Sequence, residues 1–274
     1  MLYVPASLSV DSVIRTYRLP RNGILGSRPN FNALDNVSFN ISHGERVGLV
    51  GESGCGKSTL TRAILGVEDV QSGWIKLDGE PVFSGKRPNI DVRRKMQVVF
   101  QDPYSSFNPR HRVDRLIAEP LHVLENAPVG KLKDLAILKA LDDVGLMASD
   151  AKKFIHEFSG GQRQRIAIAR ALIIEPELII FDEAVSALDV SVRAQVLDLI
   201  AELCHKRPLA YLFISHDLSV VRTVTDRVMI MRAGKIVEHG ETEKVFTNPQ
   251  NAYTKTLIAA APRLPEITYA IEPV

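Results

Sequence analysis

The sequence contains a glycine-rich segment that could wrap the phosphates of a nucleotide. Residues 51–59 run GESGCGKST, and the first eight of them match the spacing G-x-x-x-x-G-K-S. Glycines let the backbone approach a phosphate chain closely, and the amide groups of such a loop point at the anion where the next helix begins. Lysine supplies a cation for the phosphates, and serine supplies a hydroxyl ligand for Mg²⁺.

The motif requires a strand before the loop and a helix after it. A short apolar run, residues 46–50, precedes the loop, and a helical pattern follows over residues 60–65. A glycine-rich turn without a ligand is the alternative interpretation. The segment by itself leaves ATPases, kinases and GTPases open. The residues predicted to surround the nucleotide here are Gly51, Glu52, Ser53, Gly54, Cys55, Gly56, Lys57, Ser58 and Thr59.

Two acidic residues follow a second apolar run. Residues 178–181 read LIIF, and Asp182 and Glu183 come directly after them. A carboxylate at the carboxyl end of a buried strand can hold Mg²⁺, and a second one can polarise an attacking water. Two acids at this position are also a common solvated strand end, so their meaning depends on the other motifs.

Further polar motifs occur in a distinctive order along the chain. Gln101 ends the apolar run 97–101, the segment FSGGQ at residues 158–162 precedes a helical pattern, SALD occupies residues 186–189, and His216 follows the run 211–215. Ser159 alone could be a helix N-cap. Together these motifs resemble the ATP-binding-cassette (ABC) ATPase family, and the resemblance extends over residues 10–231.

The resemblance implies an α/β fold: a P-loop NTPase, RecA-like core with a mostly parallel sheet, an N-terminal antiparallel β region and an inserted helical subdomain. Alternating strand and helix patterns also predict a parallel sheet covered on both faces. We expect a single nucleotide-binding domain over residues 1–274. Its core would comprise about residues 1–101 and 171–250, its helical subdomain about 102–170, where no strand pattern occurs, and its C-terminal tail about 251–274.

The resemblance also implies roles for individual residues. Hydrolysis would depend on Glu183 as the catalytic base and on Gln101 and His216. Mg²⁺ would be held by Ser58, Gln101 and Asp182. The ATP of an opposite subunit would be contacted by Ser159, Gly160, Gly161, Gln162 and Asp189. Tyr17 would stack on adenine, although an aromatic residue in an early strand can equally belong to the core.

Within the family, the run VVFQDPYSSFNP at residues 98–109 resembles the oligopeptide and dipeptide uptake subfamily, which also includes nickel and glutathione importers. Residues 246–249, 253–257 and Pro262 resemble the C-terminal motif of that subfamily, with Asn251 and Ala252 where His-Pro is usual. The implied partners are a second ABC ATPase (a sister subunit or a copy of this chain), transmembrane permease subunits and, indirectly, a substrate-binding protein. No cysteine follows Cys204, so we expect no iron–sulfur cluster.

Composition excludes several other classes of protein. Hydrophobic residues make up 45% of the 274 residues, and the formal net charge is +2, which gives no reason to expect a nucleic-acid partner. No apolar run reaches the ~20 residues of a membrane span, and the N-terminus lacks a signal-peptide pattern. We therefore expect a cytoplasmic protein held at the cytoplasmic face of the inner membrane by a permease. A non-transport ABC ATPase, or a P-loop kinase or GTPase, is the alternative.

Overall fold

The computed structural model of the protein describes residues 6–21, 28–85, 87–207 and 209–260. Its strands are β1 (Ala6–Arg18), β2 (Asn30–Ser42), β3 (Arg46–Val50), β4 (Ser72–Leu77), β5 (Glu80–Pro81), β6 (Phe83–Ser84), β7 (Arg87–Pro88), β8 (Met96–Phe100), β9 (Leu178–Asp182), β10 (Ala210–Ser215), β11 (Arg227–Arg232) and β12 (Lys235–Glu241). Its helices are α1 (Lys57–Ile64), α2 (Ile90–Arg94), α3 (Val113–Ala118), α4 (Lys131–Asp143), α5 (Gly160–Leu172), α6 (Val190–Lys206), α7 (Leu218–Val224), α8 (Thr242–Thr247) and α9 (Ala252–Ala260). Short 3₁₀ helices occupy Glu119–Val123, Ala148–Lys152 and Ile155–Glu157.

The central sheet has the strand order β12-β11-β3-β10-β9-β8. All neighbours in it are parallel except β12, which pairs antiparallel with β11. Strands β3, β8, β9 and β10 all end at the same edge, because parallel strands share a direction. The segments that follow them therefore meet there, at the edge where open α/β sheets bind their ligands. The predicted fold class is confirmed.

The side chains of the parallel strands alternate between two hydrophobic cores. Ile179 and Phe181 of β9 point into one core together with Phe213 of β10, whereas Ile180 and Leu212 point into the other. The first core includes the apolar faces of α3, α4, α5 and α6, and the second includes β1, β2 and α1. This alternation follows from the two-residue period of a strand. Burial on both faces explains why these strands are almost wholly apolar.

An antiparallel sheet with the order β2-β1-β4-β5 forms the N-terminal region, and it packs through its apolar face onto the second core. The register of β1 and β2 places Tyr17 directly opposite Phe31. All residues from 102 to 170 are described, and none of them lies in a strand element. They contain α3, α4, most of α5 and the 3₁₀ turns, joined by one isolated bridge between Arg112 and Phe154.

The apolar patterns of the sequence predict strands at residues 46–50, 178–182 and 210–215, which are the observed bounds of β3, β9 and β10. No pattern predicted β4 or β12. In β4, Gly73 interrupts a short run, and β12 is an edge strand with four charged or polar side chains among seven residues. The Pro, Gly, Asn and Arg residues of 19–29 predict an exposed loop, of which residues 22–27 lie outside the described residues. Pro262 and the rest of the tail from residue 261 also lie outside them. In the part of the chain that the structure describes, no helix is both long and apolar enough to cross a bilayer.

Candidate functional site

The loop between β3 and α1 is shaped by close contacts that exclude side chains. A Cβ atom on Gly51 would lie 2.2 Å from the carbonyl oxygen of Met231, and one on Gly56 would lie 2.3 Å from that of Ala33. Gly56 also has a φ of 116°, where residues with a side chain are strained. The backbone of two neighbouring strands therefore leaves no room for a side chain at either position, and both must be glycine.

Lys57 is buried inside this loop, with 6% of its surface exposed. Its ammonium group donates hydrogen bonds to the carbonyl oxygens of Gly51, at 2.6 Å, and Glu52, at 3.0 Å. A buried cation needs such partners, since removing it from water is otherwise costly. The loop thus surrounds one positive charge at the N-terminus of α1. The helix dipole also favours an anion at this end of the helix.

A cleft of about 220 Å³ opens above the loop. It is lined by Tyr17, Phe31, Ala33, Ser53, Gly54, Gly56, Lys57, Ser58, Thr59 and Glu183. The cleft brings six residues of the predicted loop together with Glu183, the second acid after β9, whereas Gly51, Glu52 and Cys55 are not in its lining. It also adds Phe31, which no motif indicated. Strand pairing places Phe31 in the cleft lining, because it lies opposite Tyr17 in the β1–β2 register.

Tyr17 is half-buried at the rim of this cleft. Its hydroxyl donates a hydrogen bond to Glu68 Oε1 at 2.5 Å, and the guanidinium carbon of Arg15 lies 5.0 Å from the centre of its ring. Glu68 also accepts hydrogen bonds from Arg15 and Arg62. The ring is therefore fixed by charged neighbours at an edge of the cleft, and not enclosed in either hydrophobic core.

Asp182 and Glu183 stand at the carboxyl end of β9. Burial raises the pKa of the Asp182 carboxyl and the charge of Glu183 raises it further, while Lys57 and Arg62 act in the opposite direction. A carboxylate this poorly hydrated gains from a nearby cation. Glu183 has a left-handed backbone, with φ 52°, and its amide donates to the carbonyl oxygen of Ile214 at 2.9 Å. This turn brings its side chain into the cleft lining.

His216 follows β10 and meets Glu183 across the strand ends. Its Nδ1 lies 3.4 Å from Glu183 Oε1, and 57% of its side chain is exposed. The next residue, Asp217, is held in place as the N-cap of α7 and by an ion pair with Arg193 at 2.9 Å. The backbone at His216 is thus held by its neighbour, while the imidazole remains exposed to solvent beside Glu183.

Gln101 comes directly after β8. In the β8–β9 register Phe100 is opposite Asp182, so Gln101 lies at the strand end next to Glu183. The carbonyl oxygen of Phe100 accepts a hydrogen bond from Gln164 Nε2 at 3.4 Å, and Gln164 is fully buried in α5. No sequence motif indicated Gln164. The sequence indicates this residue only by a polar side chain at a position of α5 that otherwise carries apolar, buried residues.

The segment 158–162 lies at the start of α5. Ser159 and Gln162 form a capping box, in which the Gln162 amide donates to Ser159 Oγ at 3.4 Å and the Ser159 amide donates to Gln162 Oε1 at 3.0 Å. A Cβ on Gly160 would lie 3.7 Å from Leu188, so this helix start adjoins the segment that contains Asp189. Among the described residues, none of Ser159, Gly160, Gly161, Gln162 and Asp189 lines the cleft. All except Gly161 are exposed.

The sequence profile of the ABC transporter family matches residues 34–186, which include the phosphate loop, Gln101, the 158–162 segment and both acids. The chain belongs to the ABC transporter family. The family predicted from the sequence motifs is confirmed.

Relatives within the ABC transporter family carry names from peptide transport. The oligopeptide transport ATP-binding protein OppF of Bacillus subtilis is 47% identical over 88% of this chain and 80% of its own length. The dipeptide transport ATP-binding protein DppF of Haemophilus influenzae is 44% identical over 92% of this chain and 77% of its own length. These names agree with the subfamily predicted from residues 98–109.

Solved ABC structures show the same fold. The CbiO1 protein of Clostridium perfringens, part of the ABC transporter complex CbiONQ, superposes with a TM-score of 0.75 at 26% identity, over 89% of this chain and 92% of that one. The cassette MJ0796, in a dimeric post-hydrolysis state bound to ADP and phosphate, superposes with a TM-score of 0.73 at 26% identity, over 86% and 98%. As a member of this family the chain is an ATP-binding ATPase.

Proposed function

We propose that this chain powers the import of peptides through a membrane permease by hydrolysing ATP. The proposal rests on one cleft that the phosphate loop and Glu183 line together, with His216 3.4 Å from Glu183. The chain is also 47% identical to an oligopeptide transport ATP-binding protein. The permease and a substrate-binding protein would be separate chains. The ATPase would then act at the cytoplasmic face of the inner membrane, held there by the permease.

The loop would bind the phosphates of ATP. The Lys57 ammonium lies within the curve of the loop, and the residues around it are small enough for a close approach of the backbone. Ser58 follows Lys57 in the first turn of α1, so its hydroxyl would face the same phosphates. Tyr17, fixed by Glu68 at the rim, would hold the base, with the residues 51–59 around the triphosphate.

A magnesium ion suits the acid at the end of β9. The charged form of Asp182 is disfavoured by burial and by Glu183, and a divalent cation would relieve both effects. Ser58, Gln101 and Asp182 would hold the ion, since hard cations prefer such oxygen ligands. When bound, the magnesium ion would neutralise part of the negative charge on the β- and γ-phosphates.

Glu183 would accept a proton from the attacking water. Its side chain lines the cleft, and its backbone turn is held by the hydrogen bond to Ile214. His216, 3.4 Å from Glu183, would contact the γ-phosphate and keep the base oriented. Gln101, at the adjacent strand end, would position the same water. General base catalysis of this kind contributes about 10²- to 10⁴-fold.

A complete site would need two subunits. The start of α5 has free amide groups and the positive end of a helix dipole, and it lies exposed outside the cleft of its own chain. Ser159, Gly160, Gly161, Gln162 and Asp189 would therefore face ATP bound to a second ATPase, either a sister subunit or a copy of this chain. The dimeric ABC cassettes among the solved relatives support this arrangement.

The experiment compares wild type with Glu183→Gln by light scattering and steady-state ATPase assay. The variant should bind Mg-ATP, dimerise with itself or with a co-expressed sister ATPase, and lose turnover by at least about 10²-fold. Glu183→Gln combined with Lys57→Ala should stay monomeric, because the loop cation is gone. Normal hydrolysis by a monomeric Glu183→Gln protein would refute the two-subunit mechanism.

The peptide assignment is tested separately in the source cell. Deletion of the gene should abolish uptake of a radiolabelled tripeptide, and the Glu183→Gln gene should not restore it. Uptake of nickel and of glutathione should be unchanged. Loss of nickel or glutathione uptake instead, with normal peptide uptake, would overturn the assignment of peptides.

A further inference from the structure

The C-terminal helix α9 contacts the phosphate loop through one side chain. The Glu52 amide donates a hydrogen bond to the hydroxyl oxygen of Tyr253 at 3.3 Å. Tyr253 lies 201 residues further along the chain, and only 8% of it is exposed. It is therefore a core residue whose polar end reaches the loop that surrounds Lys57.

This contact and the lysine contact fix the same peptide unit. The unit between Gly51 and Glu52 has its carbonyl oxygen bonded to the Lys57 ammonium at 2.6 Å and its N–H bonded to Tyr253. The two groups point in opposite directions from a planar trans peptide. Tyr253 therefore holds the outer side of the unit, and Lys57 holds the inner side, so rotation of this peptide would disturb the position of the ammonium group.

Tyr253 is itself held firmly. Glu238 of β12 accepts hydrogen bonds from the amides of Gln250, at 2.7 Å, and Asn251, at 3.1 Å, and this attaches the start of α9 to the central sheet. Asn251 Oδ1 accepts from the Tyr253 amide at 2.9 Å. The Arg232 guanidinium carbon lies 4.7 Å from the centre of the Tyr253 ring.

The neighbouring hairpin supports the loop from the same side. The Gly234 amide, between β11 and β12, donates to the carbonyl oxygen of Cys55 at 2.8 Å. Residues after β11 thus bond the loop at both of its ends, at Glu52 and at Cys55. Both of these hydrogen bonds join the loop to residues that do not line the cleft.

We propose that Tyr253 is a positioning residue for nucleotide binding, whose hydroxyl orients the peptide between Gly51 and Glu52 and through it the Lys57 ammonium. The inference rests on the proposed binding of ATP by this loop. Tyr253 is not among the residues that line the cleft, and its hydroxyl bonds the backbone of the loop, so it would act equally on ATP and on ADP. It prepares the loop before the nucleotide binds and makes no contact that changes during hydrolysis.

The test replaces Tyr253 by phenylalanine in the full chain, which removes the hydroxyl and keeps the ring. A hydrogen bond of this kind is worth about a three- to tenfold change in an equilibrium constant. Titration calorimetry should show Kd values for Mg-ATP and for ADP raised about three- to tenfold together. In the ATPase assay KM should rise by the same factor and kcat should stay within about twofold, as for an interaction equal in ground and transition states. Thr256→Ala, an exposed change in the same helix, should leave all these values unchanged.

Hydrogen exchange gives a second readout, and its first part uses wild type alone. In nucleotide-free wild type the Glu52 amide should exchange much more slowly than the amides of Ser53 and Gly54, and Tyr253→Phe should abolish that difference. Unchanged Kd values in a folded Tyr253→Phe protein, or a fall in thermal stability alone, would overturn the proposal. Rapid exchange of the Glu52 amide in wild type would also overturn it. Wild type that binds no ATP would instead refute the proposed function.

Discussion

Gly161, the second residue of α5, has no room for a side chain. A Cβ there would lie 2.3 Å from Val192 Cγ1, in the first turn of α6, whereas a Cβ on the adjacent Gly160 would meet only Leu188 at an ordinary 3.7 Å. The two glycines are neighbours in the same helix turn, and they differ only in what they face. Substituting each by alanine therefore separates the effect of steric overlap from the effect of helix propensity.

The two substitutions should change stability in different directions. Overpacking at a contact this short costs about 1–3 kcal/mol, because Val192 is β-branched and cannot easily turn its methyl group away. Replacing glycine by alanine returns at most about 1 kcal/mol, and less in a first turn. Gly161→Ala should thus destabilise the protein by about 1–2 kcal/mol, while Gly160→Ala should be neutral or slightly stabilising.

Urea denaturation followed by circular dichroism, without nucleotide, measures both variants. For a domain near this size, about 1–2 kcal/mol corresponds to a melting temperature lowered by about 2–8 °C. Val192→Ala in the Gly161→Ala background should recover most of the loss, since it removes the overlapping methyl group. Equal stability of the two alanine variants, or no recovery with Val192→Ala, would show that the packing of α5 against α6 differs from the one described.

The remaining predictions concern one buried carboxylate and the rim of the cleft. The hydrogen bond from the Lys153 ammonium holds the pKa of Asp150 below its usual range against the opposing effect of burial, and the Met147 amide adds to it. The ionised Asp150 carboxylate therefore stabilises the fold fully above pH about 4, and this stabilisation is lost as pH falls through the depressed pKa. In urea denaturation, Asp150→Asn should lower the free energy of unfolding by about 1–2 kcal/mol at pH 7 and by less at pH 3. An equal decrease at both pH values would contradict this explanation. In calorimetry, Tyr17→Leu should weaken Mg-ATP binding about three- to tenfold, because the aromatic ring is lost. Tyr17→Phe should weaken it less, because only the hydrogen bond to Glu68 is lost. An unchanged Kd in the leucine variant would show that Tyr17 does not contact the base.

Strands with strong local patterns could be located from the sequence, and those without could not. β9 and β10 are almost wholly apolar, so their bounds follow from composition. Three polar side chains of β12, those of Lys235, His239 and Glu241, are exposed at the sheet edge, and pairing with β11 makes this segment a strand. The helical pattern in the sequence predicts a helix over residues 162–174, whereas α5 begins at Gly160, because the capping box of Ser159 and Gln162 extends the helix to include both glycines.

The sequence by itself determined the fold class, the family and the motifs after each strand, since spacing along the chain defines a phosphate loop or an acid after an apolar run. Only the tertiary structure decided which distant residues meet these motifs. Phe31 reaches the cleft by strand register, Gln164 bonds a strand end 64 residues away, and Tyr253 reaches Glu52 from 201 residues away. Such contacts have no sequence signal of their own, because they depend on how separately formed helices and strands pack together. Local patterns thus specify the chemical groups, and packing specifies the residues that hold them in position.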